Sequence, residues 1–222
     1  MAAWQRRDRR RQRFRTEPKA EPWTPRTSLG RLVQEGKVAS IEDVFAQGYR
    51  IAEPEIVDLL LPNLEREVLN TGLVQKQTDA GEKSRFRAIV ATGDRNGYVG
   101  VGSGKASQWR SAVEKAFLDA KLKVGPVRRG CGSWECTCNE PHSLPFRVSG
   151  KCGSVSVDII PGPRGLGIVA SDIAKTLIEL AGIRDCWTRT KGSTRTTASL
   201  IYATFDALKN TYKVMTPRDW VG

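Results

Sequence analysis

Between residues 85 and 93, Phe86, Ala88 and Val90 alternate with Arg85 and Arg87, the two-residue period of a half-buried β-strand. Val68 to Gln77 reads as a strand before it, and Asp79-Ala80-Gly81-Glu82 turns one segment into the other. After it, Asp94-Arg95-Asn96-Gly97 carries the Asn-Gly signal of a tight hairpin and leads into a third strand, Tyr98 to Lys105. Ser107 stands where a helix cap is expected, and Ala112, Val113, Ala116, Phe117 and Ala120 then share one face of a helix to about Leu122. The order is β-β-β-α. Beyond a loop rich in Gly, Pro and Cys (123–145), the pattern resumes with strands from Phe146 to Gly150 and around Val155, Val157 and Ile159, broken by Pro161-Gly162-Pro163-Arg164-Gly165. A helix from Ser171 to Ala181 closed by Gly182, a strand from Asp185 to Thr190 and a helix from Thr197 to Tyr212 complete a β-β-α-β-α unit. The fold class expected is therefore α+β.

Upstream lie three helices too short to stand alone. Leu29, Leu32 and Val33 stop at Gly36; Ser40 caps Ile41, Val44 and Phe45 before Gly48; Pro54 opens a turn with Ile56, Leu59 and Leu60 that Pro62 ends. They are expected to pack on the body or on a protein neighbour. The divisions predicted are an extended arm (1–26), the short helices (27–62), the first domain (63–125), the Gly/Cys loop (126–145) and the carboxy-terminal domain (146–222).

Composition adds the sign of the partner. The 222 residues carry 36 basic and 24 acidic side chains, a net charge of +12. Residues 1–15 hold Arg6, Arg7, Arg9, Arg10, Arg11, Arg13 and Arg15 against one Asp, a net +6 with Trp4 and Phe14 between the arginines. Such an arm has almost nothing to bury and suits a phosphate backbone, with Trp4, Phe14 and Trp23 free to stack on bases. Residues 32–80 reverse to four basic and nine acidic, net −5, and 81–222 return to 22 basic and 12 acidic, net +10. Nucleic acid is the first partner such a distribution suggests. No apolar run nears the ~20 residues that span a bilayer, and the Arg-rich start lacks a secretory signal's apolar core, so an intracellular protein is expected.

The candidate chemistry narrows the class further. In Gly97-Tyr98-Val99-Gly100-Val101-Gly102-Ser103-Gly104-Lys105, Val99 and Ala106 occupy positions that a phosphate-binding loop needs as Gly and Ser/Thr, and G-x-G-x-x-G fails at Lys105. Glycines at 100, 102 and 104 instead leave one strand face bare, for a packed helix or an RNA backbone reaching Lys105. Cys131, Cys136, Cys138 and His142 satisfy the ligand count of a structural zinc site, although no C-x-x-C pair is present; reduced thiols in an RNA-ordered loop are the alternative. Cys152 and Cys186 fall in strands and read as small core residues. The H-x-E and P-C-x-x-C of a zinc deaminase are missing, and the single histidine leaves no catalytic triad, so no enzyme is expected and no cofactor is required.

Phe86-Arg87-Ala88, Gly93-Asp94-Arg95-Asn96-Gly97-Tyr98-Val99-Gly100-Val101-Gly102-Ser103-Gly104-Lys105-Ala106 and a following basic helix resemble the signature of the small-subunit ribosomal protein number five family. Pro141-His142-Ser143-Leu144-Pro145-Phe146, Gly150-Lys151-Cys152-Gly153-Ser154-Val155, Pro163-Arg164-Gly165-Leu166-Gly167 and Ala203-Thr204-Phe205-Asp206-Ala207-Leu208 agree in order, over about 55–220. The arm, Gly130-Cys131-Gly132-Ser133-Trp134 and Thr211-Tyr212 resemble the archaeal branch. The resemblance implies an amino-terminal domain similar to double-stranded-RNA-binding domains and a carboxy-terminal split βαβ domain with a left-handed crossover. It further implies a cytoplasmic, ribosome-bound protein on small-subunit rRNA near the decoding region, lining the mRNA entry channel, touching small-subunit ribosomal proteins four and eight and affecting accuracy.

By position, Asp79 to Ser84 matches the family's first hairpin, with Gly81-Glu82-Lys83 in place of a doubled glycine and a basic residue. The expected RNA-binding residues, besides the arm, are Lys83, Arg85 and Arg87, then Arg95, Lys105, Arg128 and Arg129. The competing class is a free-standing double-stranded-RNA-binding regulator, which leaves the acidic stretch and the second domain without a use.

Overall fold

The computed structural model describes residues 23–136, 138 and 140–214. The amino-terminal helices are α1 (Ser28–Gln34), α2 (Ile41–Ala46) and α3 (Pro54–Leu60). Thr27 and Ser40 cap the first two, their hydroxyls accepting from the amides of Gly30 and Asp43, and α3 opens with a proline whose missing N–H would have had no partner there. Leu29, Ile41, Val44, Ile56 and Val57 form a small core with Val124 of the body. The helices thus pack on the body, as expected of pieces too short to fold alone.

The first sheet is antiparallel and runs in the order β1 (Glu65–Thr78), β2 (Gly81–Gly93), β3 (Tyr98–Ala106) and β4 (Gly125–Pro126). One face carries α4 (Trp109–Leu122). A Cβ on Gly102 would stand 2.2 Å from the amide nitrogen of Ala120 and 2.3 Å from the carbonyl oxygen of Ala116, and one on Gly104 2.4 Å from Ala112 O. The bare strand face is therefore filled by the helix backbone, through alanines at 112, 116 and 120, and no room is left there for RNA. The helix cap differs from expectation. Gln108, not Ser107, is the N-cap, without a side-chain hydrogen bond, because β3 stays paired to Ala106 opposite Phe86 and the chain needs two residues to leave the sheet.

The second unit comprises β5 (Val148–Cys152), β6 (Val155–Pro161), β7 (Ile168–Val169), α5 (Asp172–Leu180), β8 (Cys186–Lys191) and α6 (Thr197–Asn210). Its sheet order is β5-β6-β8-β7, with β7 and β8 parallel and α5 connecting them. β5 starts two residues later than its sequence suggests. The two-residue strands β4 and β7 carry no pattern of their own and exist only through their partners.

Both units share one core. Ile89, Ala91, Val99 and Val101, on the face of the first sheet away from α4, lie in the same cluster as Val155, Val157, Ile159, Leu177, Ile178, Ile201 and Leu208. The seam is close. The Arg95 amide donates to Leu180 O at 3.0 Å, and Gly182, at φ +80, would place a Cβ 2.1 Å from Arg95 O. Glycine is required there by backbone conformation and by space together.

Candidate nucleic-acid interface

β1 and β2 are long because the Asp79-Ala80 turn pairs Thr78 directly with Gly81, and the register then fixes every cross-strand neighbour back to the body. Lys76 falls opposite Lys83, Val74 opposite Arg85 and Gly72 opposite Arg87; on the other side Arg87 falls opposite Lys105. Period-two alternation puts Lys76, Lys83, Arg85, Arg87 and Lys105 on one face, the face away from α4. The inner end of that face is covered by the second unit and the outer end is exposed. Among the described residues none of the five has an ion pair. Arg87 is half-buried beside Asn70, Gly72 and Ala198, and its Nε has no hydrogen-bond partner among the described residues.

Like charges directly opposite each other across strands destabilise a sheet. Two such pairs, Lys76/Lys83 and Arg87/Lys105, share this face. A row of phosphates removes the repulsion and gains counterion release, so the arrangement is suited to a nucleic-acid backbone and carries no base-reading geometry.

Of the sequence-expected residues, Lys83, Arg85, Arg87 and Lys105 come together here. Lys76 joins them and was missed, although the hairpin turn and a count along two strands place it. Arg95 and Arg129 lie elsewhere, together. Arg95 sits in the Asp94–Gly97 turn at φ +56 and pairs with Glu65 at 2.7 Å, while Arg129 donates to Asn96 O at 2.8 Å. Both line a cavity of about 700 Å³ with Lys175 and Arg184, and with Glu140 and Glu179 as the acidic members. Arg128 lies over the Tyr212 ring, 5.0 Å from its centroid, and donates to Val214 O. The arm arginines at 6, 7, 9, 10, 11, 13 and 15 lie outside the described residues.

The cysteine loop forms a second cluster. The ligand atoms of Cys131, Cys136, Cys138 and His142 all lie within 4.8 Å of one another. Cys136 Sγ is 3.2 Å from Cys138 Sγ and 3.8 Å from His142 Nε2. The Cys136 thiol is held below the ordinary thiol range, first by its hydrogen bond with the Cys138 thiol and then by the backbone at Cys138 and Arg164. Cys186 is the opposite case: burial pushes it up to about 12 and it stays a small core thiol, with half-buried Cys152 packed against the same core.

Residues 64–128 match the description "Ribosomal protein S5, N-terminal domain", and residues 150–218 match "Ribosomal protein S5, C-terminal domain". The chain belongs to the ribosomal protein S5 family. Among similar proteins, "Small ribosomal subunit protein uS5" of Pyrobaculum islandicum is 60% identical over 190 residues, 86% of this chain and 94% of that one. The proteins of the same name from Saccharolobus solfataricus and Aeropyrum pernix are 57% and 58% identical over 201 and 200 residues, in each case 90% of this chain, covering 94% and 92% of those relatives. These relatives are archaeal, as the resemblance to the archaeal branch implies. The two matches fall on the two sheets just described, giving the α+β architecture its family meaning. S5 proteins are structural ribosomal proteins that bind rRNA and not enzymes, and this member is ribosome-bound in the cytoplasm. Among the described residues, no helix is long and apolar enough to cross a membrane.

Proposed function

We propose that the protein is a constituent of the small ribosomal subunit that lays the outer face of β1, β2 and β3 on small-subunit rRNA near the decoding region, beside the mRNA entry channel. The observation that carries this is the pairing of Lys76 with Lys83 and of Arg87 with Lys105 at the outer end of one face, where none of the four has an ion pair among the described residues. Arg95, Arg128, Arg129 and the arm arginines add phosphate contacts around it. Small-subunit ribosomal proteins four and eight are its protein neighbours, and the acidic 32–80 stretch suits protein better than RNA. The arm, helical, first-domain, loop and second-domain divisions correspond to these separate contacts. The Cys/His cluster belongs to the scaffold, as a structural zinc site with no part in catalysis. Accuracy is supported by position: a rigid wedge that favours one rRNA geometry shifts the relative energies of decoding states without bond chemistry.

Two measurements test this. In native lysate the protein is expected to sediment with the small subunit through a moderate salt wash; migration as a free monomer would favour the regulator instead. Purified Lys83→Ala/Arg85→Ala protein is expected to bind small-subunit rRNA more weakly, with the salt slope reduced by about 1.5 for two lost phosphate contacts. An unchanged slope would remove this face from the interface.

A further inference from the structure

The loop from 131 to 141 has no buried side chain among its described residues, and Trp134 is 90% exposed. Burial resumes abruptly at His142, Ser143 and Leu144. Apolar packing therefore does not hold this loop in place. What it has is a convergence of three sulfurs and one imidazole nitrogen.

We infer that Cys131, Cys136, Cys138 and His142 close on a tetrahedral zinc ion whose imidazole ligand is aimed by Asp185, so that the metal fastens the loop to the core of the second unit. This rests on the cluster being a metal site, as proposed above, and adds a positioning residue from another element. A tetrahedron with Zn–S near 2.3 Å has S···S edges of about 3.8 Å and slightly shorter S···N edges. The 3.2 Å and 3.8 Å separations bracket that size, and the rest of the set lies within 4.8 Å. Four protein ligands leave no open position, which marks a structural site, and a soft S₃N set selects zinc over magnesium or calcium.

The second half of the inference lies behind the histidine. His142 Nδ1 is 2.8 Å from Asp185 Oδ2, both residues are buried, and this leaves Nε2 facing the thiols. A carboxylate behind a metal-bound imidazole fixes its tautomer and ring direction. Asp185 is itself immobilised. Its Oδ1 accepts from the amides of Gly165 (3.1 Å) and Gly167 (2.8 Å), and its own amide and that of Arg184 donate to His142 O at 3.2 and 2.9 Å. The chain of contacts runs from the loop through His142 and Asp185 to the 165–167 turn leading into β7. Zinc binding releases the thiol protons and keeps the imidazole neutral.

The test uses purified full-length protein and zinc alone. Elemental analysis is expected to give one zinc per chain, and Co(II) in its place the visible bands of a tetrahedral thiolate site. Cys136→Ser/Cys138→Ser should abolish binding. Asp185→Asn should weaken zinc 10–100-fold in competition with a chelator, with unchanged far-UV circular dichroism. Ile201→Val, a truncation of a buried core side chain in α6, serves as a control for general loosening and should leave zinc affinity unchanged. Absence of zinc from the reduced, folded protein overturns both the metal site and the inference. One zinc per chain held equally tightly by Asp185→Asn, or an equal loss with Ile201→Val, leaves the metal site standing and overturns the role of Asp185.

Discussion

The two ends of β2 belong to the same strand and live in different media. From Ala88 to Gly93 every residue is buried, between α4 on one face and the second unit on the other; from Glu82 to Phe86 every residue is exposed. At the inner end, glycines and alanines let backbones touch. At the outer end, basic side chains face each other without counter-charges. The inner end does the work of folding, and under the proposed function a polyanion completes the outer end. Packing and exposed charge are thus separated along one element, at Arg87, the half-buried residue between them.

The sharpest way to break this division is Gly102→Val. Its branched side chain has to displace the α4 backbone at Ala116 and Ala120, and a loss of about 3 kcal/mol or more is expected, lowering the thermal midpoint by about 6–12 °C. A melt within 2 °C of the parent would mean that α4 does not rest on this strand. A smaller effect tests what a satisfied charge does. Glu53 is pulled upward by desolvation, but hydrogen bonds from the amides of Thr27 and Arg26 and from the Trp23 indole hold it below the ordinary carboxylate range. A carboxylate lowered in the folded state contributes stability that is complete above its unfolded value, about 4.3, and is lost as pH falls through the folded one. Glu53→Gln is expected to cost about 1 kcal/mol at neutral pH, and the gap from the parent should close as pH falls below about 4. A gap independent of pH would refute the role of the charge. The smallest effect is at the outer end. Lys76→Ala should change stability by no more than about 0.5 kcal/mol, upward if anything, while reducing the salt slope of rRNA binding by about 0.8. Clear destabilisation would show that the hairpin's charges serve the fold.

Alternation and turn chemistry made most of this fold legible. The Asp-Arg-Asn-Gly turn, the Val155/Val157/Ile159 period and the alanine stripe of α4 identify their elements directly. They do not say what covers a face. The glycines at 100, 102 and 104 admitted a helix or RNA equally, and only the position of α4 decides between them. The common core of the two units was likewise invisible, because Ile89 and Val101 look the same whatever packs on them. The strands β4 and β7 escaped notice for a related reason, being defined by a neighbour. In the candidate sites, the four residues that could hold a metal lie within twelve residues and were found by spacing, whereas Asp185, 43 positions from His142, had no local signal. Lys76 needed only the register.

The common core also bears on synthesis. A ribosome delivers the chain from its amino terminus, so the first sheet leaves the exit tunnel with Ile89, Ala91, Val99 and Val101 still facing water. The cluster they share includes Leu200, Ile201 and Leu208 of α6. Maturation of the first unit therefore waits on a helix made well after it, and a nascent chain stopped at the loop would expose a sticky apolar sheet to chaperones.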